Sequence, residues 1–580
     1  MAAERVQVTN ADIADMLNEM ANLLEIDGAN PFRVRAYRQA ALTIATMPRP
    51  LADMVEQGEN LTDLPGIGES IAAKIEEIVR TGKLDQLEEE RSHIPPQLTE
   101  LLRVPSLGPK RASVLYKELG ITSLEQLKQA AQEQRIRQVK GFGPKLEQTI
   151  LKDIEQAQQY QRRYLWAEAA QIARPLVEYL RANDRVKRVD VAGSYRRGLE
   201  TVGDLDILAI GTTDTPDPAI GEYFVRYPSV KEVISRGDTR STAVLASGMQ
   251  VDLRVMPAES YGAAMIYFTG SKTHNIHLRQ IALDKGLKLS EYGLFRGEER
   301  VAGATEQEVY RTLGLDYITP ELREDRGEIE AAAQGQLPHL VTLEDIRGDL
   351  QAHSKASDGV NTIEEIALAA RALGYAYVTI TDHSRRLRVA RGLDPRQVRE
   401  QMNEIDRLNA RLENITILKG AEVDILKDGS LDLPDDLLGD LDIVVCSVHS
   451  SFNLSKEQQT ERIIRAMDNP HFNILAHPTG RRLGERQPYE VDMERLMLAA
   501  LERGCYMEIN SQPDRLDLND KHAHMAKTLG LKLAISSDAH RADDLSVLQY
   551  GVMQARRGWL EPEDVLNTRD WPELQRLLRR

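Results

Sequence analysis

GSYRRGLETVGDLDIL, from Gly193 to Leu208, is the stretch that decides how the chain is read. It sets a Gly-Ser step and two arginines ahead of Asp204 and Asp206, which open an otherwise apolar run. Along a strand, alternation carries Asp204 and Asp206 to one face and Leu205 and Ile207 to the other. Unpaired charge at the head of a buried strand is costly, so the pattern calls for a cation. A third acid, Asp252 in QVDLRV, lies in a second alternating strand, after a turn expected at Ser247-Gly248. There Val251, Leu253 and Val255 face the core, and Asp252 faces away with Arg254. Three carboxylates on neighbouring strands suit two Mg2+ ions roughly 4 Å apart, which activate a hydroxyl and neutralise a departing pyrophosphate. The Gly193-Ser194 turn and Arg197 then offer N–H, hydroxyl and guanidinium donors to the phosphates of a nucleoside triphosphate. A lone DxD is most often an exposed strand end; the Gly-Ser step eleven residues ahead of Asp204 favours the metal reading.

Outward from that stretch, 580 residues exceed what one core accommodates and predict roughly three or four domains. With 42% hydrophobic and 28% charged residues, the composition is that of an ordinary globular chain. Cys446 and Cys505 lie in apolar runs, IVVCSV and GCYMEI, and read as buried thiols, which points to the cytoplasm. The start MAAERVQVTNADIADML has charges where a signal peptide needs an apolar core, and no run of about eighteen apolar residues follows, so no membrane partner is expected. The net charge of −16 is unevenly spread: residues 101–200 hold 19 Lys+Arg against 11 Asp+Glu, a balance of +8, which leaves −24 for the rest. A basic part joined to an acidic, metal-rich part would give that split, but the map alone has little weight.

The first 160 residues read as helices joined by glycine turns, with one motif in three copies: LPGIGESIAAKI from Leu64, VPSLGPKRASVL from Val104 and VKGFGPKLEQTI from Val139. Glycine lets the backbone approach a phosphate, and the helix that follows offers free N–H groups and a positive dipole end. The motif resembles the helix-hairpin-helix, which grips the DNA backbone without reading sequence. Gly66, Gly68, Gly108, Gly141 and Gly143 are the candidate DNA-contact residues. Ser106 stands where the other copies have Gly66 and Gly141, which marks the middle copy as structural.

These residues make a family recognisable. Gly193–Leu208 resembles the nucleotidyltransferase signature of family X DNA polymerases, the group that includes polymerase beta. YFTGSKTHNIHLR, from Tyr267 to Arg279, and EYGLFRG, from Glu291, are similar to further signatures of that family in the expected order. The resemblance implies that Asp204, Asp206 and Asp252 hold two Mg2+ or Mn2+ ions, with Asp252 placed to accept the primer hydroxyl proton. It implies nucleotide contacts at Gly193, Ser194, Arg197, Gly203, Tyr267, Phe268, Gly270, Lys272 and Asn275, and a template contact at Arg279. Lys272 replaces an acid of polymerase beta beside the nucleotide. Lys74 matches a lysine that forms a Schiff base with deoxyribose-phosphate ends, but Ser70 replaces a second lysine there, and an exposed helix lysine is the favoured reading. Arg33, Arg35, Tyr37 and Arg38 read as a basic, aromatic surface for a 5′-phosphate.

Beyond residue 340, apolar strands alternate with helical segments, as in a βα barrel. Polar strand ends in GDLQAHSKASDG, VTITDHS, GAEVDI, VVCSVHS, NILAHPTG and AISSDAH supply His353, Asp358, His383, Glu422, His449, His477, Asp538 and His540. Groups at the C-terminal ends of successive barrel strands converge on one mouth, and imidazole with carboxylate suits Zn2+, Mn2+ or Fe2+. These motifs resemble the PHP (polymerase and histidinol phosphatase) domain, which implies two to three metal ions and phosphoester cleavage. Gln351 stands where that family has the first His of an HxH pair, and an amide oxygen is the weaker ligand. Arg481, Arg482 and Arg515 are candidate phosphate binders, of which one is expected to serve.

The fold class expected is multidomain α/β: an all-α helix-hairpin-helix N-terminal part, an α+β nucleotidyltransferase palm and thumb, and a distorted C-terminal βα (PHP) barrel. The boundaries read are 1–90 and 91–180 for two helical DNA-binding domains, 181–260 for the palm and 261–320 for the thumb-type subdomain. ELREDRGEIEAAAQGQLPH, polar and without an apolar face, reads as a linker over 321–340, and 341–580 as the PHP domain. The expected activity is DNA-directed DNA polymerisation that fills short gaps in base-excision repair, on gapped or nicked DNA with deoxynucleoside triphosphates, by a monomer. A 3′-5′ exonuclease, 3′-end-processing or abasic-site endonuclease activity is expected of the barrel. The alternatives are a barrel that is structural or a pyrophosphatase, and an untemplated nucleotidyltransferase.

Overall fold

The computed structural model describes residues 10–27, 29–45, 51–64, 66–93, 101, 104, 106–159, 163–213 and 215–579. Part of the segment read for a signal peptide, residues 1–9, lies outside these, as does Pro65 and Pro105 of the glycine-turn motifs. The chain forms two compact units, Met1–Tyr195 with Thr201–Tyr261, and Arg196–Glu200 with Gly262–Arg580.

The first unit begins with helices around one apolar core. Glu69–Thr81 illustrates the local logic: Ile71, Ala72, Ile75 and Ile78 recur at helical spacing and are buried, and the helix ends at Gly82 in the left-handed region. Short paired strands β1 (Tyr164–Leu165) and β3 (Thr201–Val202) flank a five-stranded sheet. The sheet comprises β2 (Val186–Val191), β4 (Asp204–Gly211), β5 (Val230–Arg236), β6 (Arg240–Leu245) and β7 (Gln250–Met256), in the order β2-β4-β7-β6-β5. Only β4 and β7 run parallel. Leu205, Ile207, Ala209, Val251, Leu253 and Val255 form one core with Ala169, Ile172, Leu176 and Leu180 of the helix Trp166–Arg181. Alternation therefore leaves the acids on the opposite face, where β4 and β7 set Asp206 directly opposite Asp252.

In the second unit, the helix Lys272–Asp284 precedes a small antiparallel sheet of β8 (Lys288–Ser290), β9 (Gly293–Arg296) and β10 (Glu299–Ala302). The stretch 321–340, expected to be a linker, is folded: it contains the helix Glu328–Gln334, and Arg323, Glu328, Ile329 and Ala332 are buried. Its buried charges are matched inside the protein. Arg323 donates to Glu306 at 2.8 Å and to the Ile318 carbonyl at 3.0 and 2.8 Å. Glu328 lies 2.7 Å from His274 Nδ1 and accepts the N–H groups of Asp325 and Arg326. A buried charge so paired needs no apolar face to be held, which is why periodicity missed it.

The chain then builds a seven-stranded, wholly parallel sheet in sequence order: β11 (Gly348–Ala352), β12 (Tyr377–Ile380), β13 (Thr416–Asp424), β14 (Ile443–Ser447), β15 (Ile474–Leu475), β16 (Tyr506–Asn510) and β17 (Leu533–Ser536). The edges β11 and β17 meet, with His353 N–H donating to the Ala539 carbonyl at 2.7 Å and Ser537 N–H to Asp349 at 3.0 Å. The result is a nearly closed barrel whose strands are buried, as parallel strands covered by helices require. Cys446 and Cys505 are thiols buried in it. No helix of the described residues is long and apolar enough to cross a membrane.

Candidate functional site

On the central sheet, Asp204 is exposed, Asp206 half-buried and Asp252 buried. Asp252 accepts hydrogen bonds from the Thr242 hydroxyl, from Arg240 at 3.0 Å and from Gln250 at 3.3 Å. Burial pushes its carboxyl up, but the bonds from Thr242 and Arg240 bring it below the ordinary value. Among the described residues, the Asp206 carboxylate has no such partners. Burial, and then the charges of Asp204 and Asp252, push it up to about 7. Asp204 is raised by burial and by Asp252. In sequence only Arg254 shares the face of Asp252 within its strand; Arg240 and Thr242, on the adjoining β6, are brought to it by strand register, which alternation does not reveal.

Gly193 shows why glycine stands there. Its φ is +65°, and a Cβ would sit 2.6 Å from Asp206 Oδ2, so the turn lies directly against the acid. Ser194 follows in the same short turn of helix, Gly193–Arg196, and Gly203 immediately precedes β4. Arg197, Tyr267, Phe268, Gly270, Lys272, Asn275 and Arg279 belong to the other unit. Arg197 is engaged there, donating to Glu324 at 3.0 Å and to the Thr269 carbonyl. Asn275 donates to the Tyr267 carbonyl at 2.7 Å, and both line a small cleft with Arg279 and Ser290. Tyr267 and Phe268 meet edge to face at 5.0 Å, and Lys272 is exposed.

Each glycine-turn motif places its helix start one residue after the last glycine, at Glu69, Pro109 and Pro144. Gly68 and Gly108 cap their helices without a side-chain bond, which leaves first-turn N–H groups open. Gly66 and Gly141 have positive φ. Lys74 donates to the Ser70 hydroxyl at 3.2 Å. The expected aromatic surface needs correction: Tyr37 is buried and bonded to Gln86, and Phe32 is the exposed ring beside Arg35.

The barrel gathers its histidines and acids at the C-terminal strand ends. Three overlapping groups have ligand atoms within 4.8 Å of one another: His353, Asp358, His383 and His540; His383, Glu422 and His449; and His353, Glu422 and Asp538. Glu422 is the hub, 3.4 Å from His353, 3.2 Å from His383, 3.3 Å from His449 and 3.1 Å from His477. Among the described residues, neither ring nitrogen of His353 nor Oε1 of Gln351, all buried, has a hydrogen-bond partner. Buried orphan nitrogens facing carboxylates fit divalent metal ions. Burial pushes His540 and His449 down, but Asp358 and Glu422 outweigh it and raise them to about 10 and about 9. Gln351 turns its amide nitrogen toward Glu422 and Asp538, at 3.2 and 3.4 Å. Among the described residues, the groups this tight belong to the barrel; the three acids of the central sheet share a face but are more widely spaced.

Supporting residues were only partly visible in sequence. Asp424, two residues after Glu422 and on the same strand face, accepts from His449 Nδ1 at 2.7 Å. Asp382 holds Ser354 and Gln401, and Asn510 donates to Asp538 at 2.9 Å. Of the three candidate arginines, Arg481 is bound to Glu200 and the Leu516 carbonyl, and Arg482 to Glu485 and Asp514. Arg515 alone faces the cluster, with Nε 3.7 Å from Asp538 and a buried nitrogen without a partner.

Four family models match: helix-hairpin-helix domain over residues 8–84, SAM-like helix-hairpin-helix tandem over 98–156, DNA polymerase beta thumb over 264–324 and PHP domain over 349–512. The chain is 40% identical over 573 residues to the DNA polymerase/3′-5′ exonuclease PolX of Bacillus subtilis (strain 168), covering 98% of this chain and 99% of that one. A probable phosphatase of Thermoanaerobacter sp. (strain X514) is 32% identical over 231 residues, 38% of this chain and 89% of its own. DNA polymerase lambda of Arabidopsis thaliana is 27% identical over 348 residues, 54% of this chain and 62% of its own.

Proposed function

The chain belongs to the family X DNA polymerases that carry a C-terminal PHP domain, and from that membership we propose how its residues divide the work. It is a DNA-directed DNA polymerase with a 3′-5′ exonuclease domain, and both active regions depend on metal ions. Asp204, Asp206 and Asp252 hold two Mg2+ or Mn2+ ions, which when bound polarise the primer hydroxyl and the triphosphate. Asp252, kept ionised by Thr242 and Arg240, takes the hydroxyl proton. Gly193 and Ser194 present donors to the phosphates beside Asp206, joined by Gly203 and Arg197. Tyr267, Phe268, Gly270, Lys272 and Asn275 select the deoxynucleotide, and Arg279 touches the template. Residues 1–90 and 91–180 hold gapped or nicked DNA through the turns at Gly66, Gly68, Gly108, Gly141 and Gly143. The central and thumb regions, 181–260 and 261–320, extend the primer.

In the barrel, Gln351, His353, Asp358, His383, Glu422, His449, His477, Asp538 and His540 hold two to three Zn2+, Mn2+ or Fe2+ ions. Arg515 orients the scissile phosphate with its unpartnered nitrogen. The reaction cleaned up is a blocked 3′ end, so one cytoplasmic monomer trims a damaged terminus and fills the gap of base-excision repair. The observation that carries this reading is Asp206 paired across β4 and β7 with Asp252, under a glycine that no other residue could replace without striking the carboxylate.

A gapped duplex with a 5′-phosphate tests it, assayed with Mg2+ and with Mn2+, with and without nucleotides. Asp252→Ala should abolish primer growth and leave Mn2+-dependent shortening intact, and His353→Ala should do the reverse. Growth that survives Asp252→Ala, or ignores the template base, refutes the polymerase assignment of these residues. Shortening that survives His353→Ala refutes the barrel assignment.

A further inference from the structure

We propose that the loop Arg385–Arg391, which leaves β12 directly after His383, is the surface on which the barrel grips the sugar-phosphate backbone of a DNA strand presented for cleavage. The proposal rests on reading the barrel as a DNA 3′-end nuclease. The loop, RRLRVAR, holds four arginines in seven residues and no acid. Arg385, Arg386, Arg388 and Arg391 are all exposed. Arg385 has a distant partner in Asp432 at 3.8 Å, and among the described residues Arg386, Arg388 and Arg391 have no ion pair. Several exposed arginines elsewhere on the barrel are matched by acids. Arg399 bridges Asp436 and Asp440, Arg411 pairs with Glu364, and Arg495 with Glu461. In a chain of net charge −16, an unneutralised cationic patch is conspicuous.

The loop is built as a closed finger. Its neck is tied by Leu393 N–H donating to the His383 carbonyl at 2.7 Å and Ser384 N–H to the Glu422 carbonyl at 2.9 Å. A Cβ on Gly392 would lie 1.9 Å from the Ser384 carbonyl oxygen, so the two sides of the neck touch where only glycine fits. Ala390 is buried at the base, and Val389 stands 96% exposed between the arginines. Both anchors, His383 and Glu422, are candidate metal ligands, so the charge is held at a fixed place beside the chemistry. Unpaired guanidinium groups recognise phosphates, and an isolated apolar tip suits the face of a base or a sugar in a single strand. One valine is too little apolar surface to anchor the loop in a lipid bilayer.

The test uses the full chain with Arg386, Arg388 and Arg391 all changed to Gln. Degradation of a single-stranded oligonucleotide with Mn2+ should show KM raised roughly tenfold or more with kcat little changed. The slope of log KM against log salt should fall by about 2, at about 0.7 per lost phosphate contact. Hydrolysis of bis(p-nitrophenyl) phosphate, which has no strand to grip, should be unchanged, as should primer extension. An unchanged oligonucleotide KM and salt slope overturn the proposal. Binding of anionic phospholipid vesicles that the variant loses, with oligonucleotide KM unaltered, overturns it in favour of a lipid. A photo-crosslinking residue at position 389, in a His353→Ala background, gives a readout independent of cleavage. It should join to the terminal nucleotides of a labelled primer, and failure to do so also overturns the grip. If the wild type degrades neither oligonucleotide nor small diester, the nuclease reading fails by itself, and the cross-link still decides the loop.

Discussion

Asp206→Asn tests what burial and the neighbouring acids together do to Asp206. Asp206 is pushed up to about 7 by burial and by its neighbours Asp204 and Asp252, against an ordinary 3.8. The folded protein therefore binds this proton more tightly than the unfolded chain. The associated stability is fully present below the unfolded value and is lost as pH rises through about 4 to about 7. Above that range the ionised site carries a cost. About three pH units at about 1.4 kcal/mol each give a ceiling of about 4 kcal/mol, which relaxation and partial solvent access reduce to about 1–3 kcal/mol. The near-isosteric amide removes the charge and so should stabilise the metal-free protein by that amount at about pH 8, and hardly at all at about pH 4.

Urea unfolding followed through Trp166 measures this, because Trp166 stacks on Tyr195 at 5.1 Å within the unit that holds the acids. Replacing Trp559 and Trp571 with Phe removes the signal of the other unit, whose transition need not coincide. Mg2+ should stabilise the wild type and the variant unequally, since an ion that binds only the folded state adds stability in proportion to its affinity. Primer extension should be lost in the same variant. If Asp206→Asn is no more stable than the wild type at about pH 8, or gains as much at about pH 4, neither burial nor the neighbouring carboxylates disfavour the charge of Asp206, and the case for a site that needs a cation falls.

Two further outcomes follow from buried polar groups. Gln351→His should supply the imidazole that the amide lacks and strengthen metal retention by roughly 10- to 100-fold in chelator competition, with more nuclease activity at limiting metal; unchanged retention would mean position 351 is no ligand. Arg557→Met removes a nearly fully buried guanidinium that donates to Glu324 at 3.0 Å, Asp520 at 2.7 Å and the Arg197 carbonyl at 2.8 Å. With those partners left short, about 3–5 kcal/mol should be lost in thermal unfolding. The KM for nucleotide should rise while barrel hydrolysis of a small diester persists, and an unaltered KM would show that Arg197 is positioned by other contacts.

How much of this was legible in sequence depended on whether a residue's partner lies nearby along the chain. Asp204 and Asp206 were legible because alternation in one strand fixes their face, and the candidate ligands of the barrel because each sits at the polar end of an apolar run. Arg240 and Thr242 were not, since only register between β6 and β7 brings them to Asp252. The stretch 321–340 misled for the same reason. Arg323 and Glu328 look like solvated charges until Glu306 and His274 are seen to meet them. Tyr37 misled in the opposite sense, an apparent surface aromatic whose hydroxyl reaches Gln86 from within the helical core.

The three arginines near the barrel mouth make the distinction sharpest. Arg481 and Arg515 are both mostly buried and both neighbour polar residues in sequence, yet Arg481 is consumed by Glu200, a residue 281 positions away. Among the described residues both keep a buried nitrogen without a hydrogen-bond partner, Nε in Arg481 and a terminal one in Arg515, but of the two it is Arg515 that lies beside the cluster, with Nε 3.7 Å from Asp538. Local sequence sets which residues can carry charge into the interior. Distant residues decide which of those charges is left beside the cluster, and for that reason the position of a guanidinium group among its partners, rather than the number of arginines, is the guide to the phosphate contact proposed for Arg515.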